Sequence, residues 1–74
     1  MNQEEKVIEL ISQVTDIPAA DLKAHREEEK VWNSLQHVEV VFALEEEFGL
    51  TFAPEELARM TSVKAIADVL AEKN

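Results

Sequence analysis

The sequence contains no cysteine, one glycine and two prolines among its 74 residues. Without cysteine the chain can form no disulfide, and it offers neither a thiolate nucleophile nor a sulfur ligand for a metal. So few glycines and prolines leave a sheet of many short strands without the residues that its turns need. The composition therefore predicts a helical protein, and the length allows one small domain, which we expect to span residues 1–74.

Basic residues are also scarce. The chain has 7 Lys and Arg but 16 Asp and Glu, which gives a formal net charge of −9. Nucleic acids and anionic membranes are bound by clustered basic side chains, so this balance argues against both. The longest apolar run, Val40 to Leu44, is too short to span a bilayer, and the N-terminus is acidic rather than basic as in a signal peptide. We therefore expect a cytoplasmic monomer, without stable membrane insertion, whose partners are proteins with basic patches.

The spacing of apolar residues predicts a first helix followed by a long loop. Four apolar residues recur at the helical positions i, i+3, i+4 and i+7, namely Val7, Leu10, Ile11 and Val14. Ile17-Pro18 ends this pattern, because a residue before proline avoids helical angles. The polar stretch 18–31 contains three successive glutamates at 27–29, which repel one another, so it predicts a solvated connection.

Capping residues delimit a second helix from about Ser34 to Phe48. Asn33 and Gln36 have the spacing of a capping box, and Gly49 is the expected left-handed residue after the last turn.

A short third helix and a longer last helix complete the predicted fold. Pro54 is a favourable first helical residue, and Ser62 can cap the last helix. The apolar face of that helix comprises Val63, Ile66, Ala67 and Leu70. The sequence therefore predicts an all-α fold, a small four-helix bundle of three longer helices plus one short helix, with a long first loop.

The second helix carries more apolar surface than one buried stripe needs. Its candidate core face comprises Val40, Val41, Ala43, Leu44 and Phe48. An offset stripe of Leu35, Val38 and Phe42 is mixed with the acidic residues Glu39, Glu45 and Glu46. Either the helix is buried over a wide arc, or this stripe is an exposed strip that docks into a basic, partly apolar groove. Periodicity alone leaves both interpretations open.

The order of residues along this helix resembles the second-helix region of acyl carrier proteins. The similar segments are Asn33-Ser34-Leu35, Val38-Glu39-Val40-Val41 and the stretch Ala43 to Gly49. Residues 61–68 and the apolar face of the first helix are also similar to that family. The resemblance thus covers nearly the whole chain, and the loop 18–31 is its weak part.

The resemblance implies a carrier and not an enzyme. In that family a phosphopantetheinyl transferase joins 4'-phosphopantetheine from coenzyme A to the serine of an Asp-Ser-Leu motif, and acyl groups are then carried as thioesters on this arm. The residue at that position here is Ser34. The further partners implied are acyl-transferring or acyl-ligating enzymes of fatty-acid, polyketide, lipid or related biosynthesis. Their basic docking patches would contact Asn33, Leu35, Val38, Glu39, Phe42, Glu45 and Glu46.

Two departures from the family pattern leave alternatives open. Asn33 replaces the usual Asp, which keeps a capping oxygen but loses a charge that a transferase arginine could bind. Trp32 stands where a glycine-containing turn is common. We expect its indole to anchor the loop on the bundle, the alternative being that it shapes a surface for a dedicated enzyme. The alternative functions are an unmodified, acidic protein-interaction adaptor and an aminoacyl or peptidyl carrier.

The remaining chemistry-bearing residues give no catalytic or metal site. His37 lies one helical turn from Ser34. A Ser-His hydrolase would also need a residue that orients the histidine and an oxyanion pocket, and so small a bundle has little room for them. We therefore expect His37 to be a surface histidine. Glu45, Glu46 and Glu47 point about 100° apart on a helix and cannot converge on one metal ion.

Overall fold

The computed structural model describes residues 3–29 and 31–73, and all regular structure in these ranges is helical. The described helices are α1 (Gln3–Thr15), α2 (Ala19–Ala24), α3 (Ser34–Phe48), α4 (Pro54–Arg59) and α5 (Val63–Lys73). Helix α1 packs against α2, α3 and α5, while α4 packs against α5. The prediction of a small all-α bundle is confirmed. Lys30 of the predicted loop and both ends of the predicted domain lie outside the described residues.

Helix α1 buries the predicted face and ends in a left-handed residue. Its buried or partly buried apolar residues are Val7, Ile8, Leu10, Ile11 and Val14. The Thr15 hydroxyl donates to the Ile11 carbonyl at 2.7 Å, and Asp16 follows with a φ of 62°. An aspartate tolerates this conformation better than most residues, although only glycine adopts it without cost.

The first connection differs from the prediction, because Ala19–Ala24 form the short helix α2. The prediction of a loop throughout residues 18–31 is therefore wrong at these positions. Pro18 precedes the helix, and its carbonyl accepts from the Leu22 N–H at 3.1 Å. The fixed φ of proline suits a helix start, and the two alanines that follow have high helix propensity. Leu22 is fully buried, so one side chain attaches α2 to the core.

Both predicted ends of α3 are confirmed. Asn33 Oδ1 accepts from the Gln36 N–H at 2.8 Å, and Gln36 Oε1 accepts from the Asn33 N–H at 3.2 Å. At the other end, Gly49 takes φ 64° and ψ 42°, and the Leu50 N–H donates to the Glu45 carbonyl at 3.1 Å. The capping box fixes Ser34 as the first residue of α3, and the left-handed glycine ends the helix after Phe48.

The predicted starts of α4 and α5 are also confirmed. Pro54 is the first residue of α4, and Glu56 Oε1 accepts from the Ala53 N–H at 2.7 Å. Ser62 Oγ accepts from the Ala65 N–H at 3.1 Å and so caps α5. The fully or almost fully buried face of α5 comprises Val63, Ile66, Val69 and Leu70.

One apolar core lies between the helices and extends into the loop before α3. Its buried members are Val7, Ile8, Ile11, Leu22, Trp32, Val40, Leu44, Phe52, Met60, Val63, Ile66, Val69 and Leu70. Trp32 is only 7% exposed, which confirms the expectation that its indole anchors this loop on the bundle. An anchored loop holds the first turn of α3 in a defined position.

Arg26 links the segment after α2 to two other helices. Its guanidinium forms a bidentate pair with the Glu4 carboxylate, with a distance of 2.9 Å from Nη2 to Oε2. Its carbonyl accepts from the Lys64 N–H at 2.9 Å. Glu27, Glu28 and Glu29 are exposed, as the sequence predicts.

Candidate functional site

Ser34 presents its hydroxyl to solvent at the first position of α3. The residue is exposed, and within residues 3–29 and 31–73 no group hydrogen-bonds its side chain. The capping function is performed by Asn33, whose Oδ1 accepts from the Gln36 N–H. Because the preceding residue supplies the cap, the serine oxygen stays free to react.

The start of α3 is a favourable environment for an anionic group on Ser34. The first N–H groups of a helix lack intrahelical acceptors, and the aligned peptide dipoles place a partial positive charge there. Phosphate groups are commonly bound at such positions. No acidic residue lies in the first turn of α3. The partial positive charge at the start of α3 would therefore stabilise a phosphodiester on the serine oxygen.

Trp32 and His37 join the loop before α3 to the first turns of that helix. The Trp32 Nε1–H donates to His37 Nδ1 at 3.0 Å, and the two ring planes are 15° apart. Burial lowers the pKa of the His37 imidazole below its ordinary value. A neutral imidazole is the form that can accept from the indole. His37 is thus partly buried and hydrogen-bonded, unlike the expected surface histidine.

This hydrogen bond also removes the basis for a Ser-His hydrolase. In such enzymes an acceptor, usually a carboxylate, holds the histidine and stabilises the imidazolium that forms during the reaction. Here His37 Nδ1 faces a donor, the indole N–H, which disfavours the protonated ring. The arrangement therefore does not support His37 as a general base for Ser34.

A shallow cleft of about 570 Å³ opens beside the serine. Its lining combines the loop before α3, the first turn of α3 and the turn between α4 and α5, with the residues Val31, Trp32, Asn33, Ser34, His37 and Thr61. None of these side chains is acidic or basic apart from the imidazole. The cleft is large enough to receive part of a group that is attached to the Ser34 oxygen.

An exposed apolar strip runs along α3 away from Ser34. The exposed fractions are 72% for Leu35, 50% for Val38 and 66% for Phe42. Glu39 and Glu46 are also exposed on this side, and neither pairs with any basic group of the described residues. The structure therefore decides between the two interpretations of α3: the stripe is uncovered, and carboxylates border it. We call these five residues the α3 strip.

Glu45 differs from the two other acidic candidates on α3. It is partly buried, and its Oε2 accepts from the Phe52 N–H at 3.2 Å. The carboxylate therefore holds the chain between α3 and α4 while it remains at the border of the α3 strip.

Most of the described basic side chains form ion pairs with acidic residues outside the α3 strip. The pairs outside the Arg26 link are Lys6–Glu47 at 3.1 Å, Arg59–Glu72 at 2.5 Å, Lys64–Asp68 at 2.9 Å and Lys73–Glu56 at 2.9 Å. These pairs neutralise part of the charge on α1, α4 and α5 and, at Glu47, on α3 outside the strip. Among the described residues no basic group compensates the carboxylates of the α3 strip, so the electrostatic potential of this face is negative.

The sequence matches the model of the family described as "Phosphopantetheine attachment site" over residues 5–70. The chain belongs to this family. Its domains bear a covalent 4'-phosphopantetheine and act as carriers rather than as catalysts. The expected cofactor class is thereby confirmed, and a phosphopantetheinyl transferase is a partner common to such domains.

The local structure fits such a cofactor. Ser34 lies inside the matched region, its hydroxyl is exposed, and the described residues that line the adjacent cleft include no acidic side chain that would repel a phosphate. The sequence identified Ser34 and Asn33 but missed the Trp32–His37 bond and the contribution of Thr61. The bond joins residues that are five positions apart, one before the start of α3 and one inside it. Neither the helical nor the strand repeat predicts a contact at this separation.

The described part of the chain offers neither a membrane-spanning helix nor a metal site. None of its helices is long and apolar enough to cross a bilayer. In residues 3–29 and 31–73, no group of three or more His, Asp or Glu side chains is placed to hold a metal ion.

Proposed function

We propose that this chain is an acyl carrier protein that bears its 4'-phosphopantetheine arm on Ser34. The observation that carries the proposal is the free Ser34 hydroxyl at the start of α3, on the same helix as the α3 strip. Attachment would form an ester bond between the serine oxygen and the phosphate of the arm. The pyrophosphate bond of coenzyme A would break, with loss of the serine proton and release of adenosine 3',5'-bisphosphate. The arm supplies the terminal thiol that the cysteine-free chain lacks, and acyl groups bind to it as thioesters.

The α3 strip is proposed as the surface that partner enzymes contact. Leu35, Val38 and Phe42 would fill an apolar groove, while Glu39 and Glu46 would approach its arginines and lysines. Asn33 and Glu45 complete the proposed surface at its two ends. One helix thus carries both the attachment residue and the recognition surface, so that an enzyme bound to α3 has the arm beside it. We propose that the chain acts in the cytoplasm as a monomer and performs no catalysis itself.

Two other functions are the alternatives to an acyl carrier. An aminoacyl or peptidyl carrier would use the same arm and differ only in its cargo. An unmodified adaptor is favoured by Asn33, because asparagine cannot offer a negative charge to a transferase arginine. Fatty-acid, polyketide and lipid synthesis are all pathways in which the proposed acyl carrier could serve.

The intact mass of the chain after incubation with coenzyme A and a broad-specificity phosphopantetheinyl transferase tests the proposal. We expect one phosphopantetheine increment in the parent chain and none in Ser34→Ala. Ser12→Ala is the matched control, because Ser12 lies on α1, and this variant should be modified like the parent.

The adaptor is separated from the carrier by Asn33→Asp. If the parent gains no mass but Asn33→Asp does, the failure lies in recognition by that transferase, and a dedicated enzyme is implied. If neither chain gains mass, the adaptor is supported and the carrier function is contradicted. Acyl or aminoacyl loading of the modified chain then distinguishes the two carrier types.

A further inference from the structure

The hydrogen bond from Trp32 assigns the proton of the neutral His37 ring. A neutral imidazole has one nitrogen that donates and one that accepts. Since His37 Nδ1 accepts from the indole N–H, the ring proton must reside on Nε2. His37 therefore offers a fixed N–H donor whose position is set by a buried tryptophan.

His37 and Ser34 lie beside each other at the start of α3 and line the same cleft. His37 follows Ser34 by one helical turn, so the two side chains lie on neighbouring positions of α3. Both line the 570 Å³ cleft, together with Val31, Trp32, Asn33 and Thr61. No described carboxylate, ammonium or guanidinium group lines this cleft, and the residues one turn away from His37 along α3 are uncharged. Among the described residues, only Trp32 hydrogen-bonds the ring.

We propose that His37 donates its Nε2–H to the phosphodiester of the arm on Ser34, and that Trp32 orients the imidazole for this contact. The inference rests on the proposed function. The phosphodiester carries one negative charge near neutral pH, and a hydrogen bond to an ionised acceptor is stronger than a neutral one. Of the described residues that line the cleft, His37 alone is cationic or potentially cationic. Trp32 acts as a positioning residue, and His37 contacts the arm.

The test compares the His37 pKa in the unmodified and modified chains by NMR titration of the imidazole signals. An anion close to an imidazole favours its protonated form, so attachment of the arm should raise the His37 pKa by about one unit. His25 is an internal reference, because it is exposed and contacts Glu28 in the segment after α2. Attachment of the arm should leave the His25 imidazole signals unchanged. Equal His37 pKa values before and after attachment would overturn the inference.

The phosphorus signal of the modified chain gives a second readout. A phosphodiester does not titrate between about pH 5 and 8, whereas histidine does. If His37 contacts the phosphate, the ³¹P shift should change with pH at the same midpoint as the His37 signals. In His37→Gln, which keeps an N–H donor but cannot titrate, the ³¹P shift should be flat. A flat ³¹P titration in the parent chain would contradict the contact.

Trp32→Phe tests the orienting role, since phenylalanine keeps an aromatic ring but has no N–H. We expect the neutral His37 ring to populate both tautomers in this variant, as ¹⁵N shifts would show, and the pKa rise on modification to shrink. Unchanged tautomer and pKa rise would refute the role of Trp32. If this variant fails to fold, His37→Gln still tests the contact.

Failure of this inference is distinguishable from failure of the proposed function. A chain that gains the arm on Ser34 but shows no change at His37 retains the carrier function and refutes only the contact. A chain that never gains the arm refutes both.

Discussion

Ser34 is available for reaction because its neighbours perform the structural tasks of the helix start. Asn33 caps α3, and Trp32 anchors the loop through burial and through its bond to His37. A serine that itself capped the helix would have its oxygen occupied by a backbone N–H. The division of tasks among these residues leaves one hydroxyl exposed at the positive end of α3.

Asp16 is a residue whose backbone conformation is unfavourable, and its replacement by glycine should stabilise the fold. It takes a φ of 62° directly after α1, where a carboxylate also faces the negative end of the helix dipole. We expect Asp16→Gly to raise the free energy of unfolding by about 1 kcal/mol, because glycine adopts left-handed angles without a steric cost. Urea denaturation followed by circular dichroism measures this change.

Asp16→Asn is the matched control for that measurement, because asparagine removes only the charge and tolerates the same φ. It should give a smaller gain than Asp16→Gly. A Gly variant less stable than the parent would show that the left-handed angle carries little strain.

At the scale of the elements, α3 is distinguished by having one buried and one exposed apolar face. Val40 and Leu44 are fully buried on one side, while Leu35 and Phe42 are largely exposed on the other. Burial of the first face holds the helix on α1, and the second face remains free. The helix is thereby a core element that also presents an exposed apolar face.

Charge reversal on the α3 strip should slow the association with basic partners. We expect Glu39→Lys to lower kcat/KM for modification by a phosphopantetheinyl transferase roughly five- to tenfold at low salt, mainly through the association rate. The loss should shrink as salt is added. Glu9→Lys on α1 makes the same change of net charge away from the strip and should have little effect. Equal losses in both variants would mean that net charge, and not the strip, directs association.

The contact between α4 and α5 should contribute stability that depends on pH. The Glu56 carboxylate accepts hydrogen bonds from the Ala53 N–H and from the Lys73 ammonium. Both bonds lower the pKa of the Glu56 carboxyl, the Ala53 bond more strongly. A carboxyl with a lowered pKa stabilises the fold above its unfolded pKa, and this contribution disappears as pH falls through the folded value. Glu56→Gln should therefore melt below the parent at neutral pH, and the two melting temperatures should converge in acid. A difference that does not depend on pH would contradict the role of the charge.

The sequence predicted the elements that carry long periodic patterns or distinct caps, and it missed the element that has neither. Helix α3 was predictable because Asn33, Gln36 and Gly49 mark both its ends. Helix α2 has only six residues and one buried anchor, Leu22, which is too little for a periodic signal. Pro18 suggested a break, yet it is also a residue that helices accept at their start.

The candidate site was predictable to a similar extent. Ser34 was predicted as the attachment residue because the residues around it resemble the family pattern. The exposure of Leu35, Val38 and Phe42 was not predictable, because it depends on which helices pack against α3. The Trp32–His37 bond depends on where the loop places an indole, which no local pattern encodes.

At the scale of the whole molecule, repulsion among the excess acidic residues opposes the stability that a small core provides. The net charge is −9, and the basic residues form pairs on α1, α4 and α5 that offset only part of it. Uncompensated like charges repel one another in the folded state. The molecule thus combines an acidic surface with a stability that we expect to depend on ionic strength.

Added salt should consequently stabilise the protein. Between about 0.05 M and about 0.5 M NaCl the screening length falls severalfold, so the repulsion among the carboxylates weakens. We expect the Tm to rise over this range, and a few millimolar Mg²⁺ to raise it further at constant ionic strength. Differential scanning calorimetry at fixed pH measures both effects. A Tm that stays flat from low to high salt would show that the ion pairs already balance the charge.

The central claim, that Ser34 bears the phosphopantetheine arm, is tested most directly by locating the modification at residue resolution. The chain treated with coenzyme A and a transferase would be fragmented in the mass spectrometer without prior digestion. We predict that every fragment containing Ser34 carries the phosphopantetheine mass, and that fragments containing only Ser12 or Ser62 do not. Modification at another residue, or a chain that no transferase modifies even as Asn33→Asp, would contradict the account.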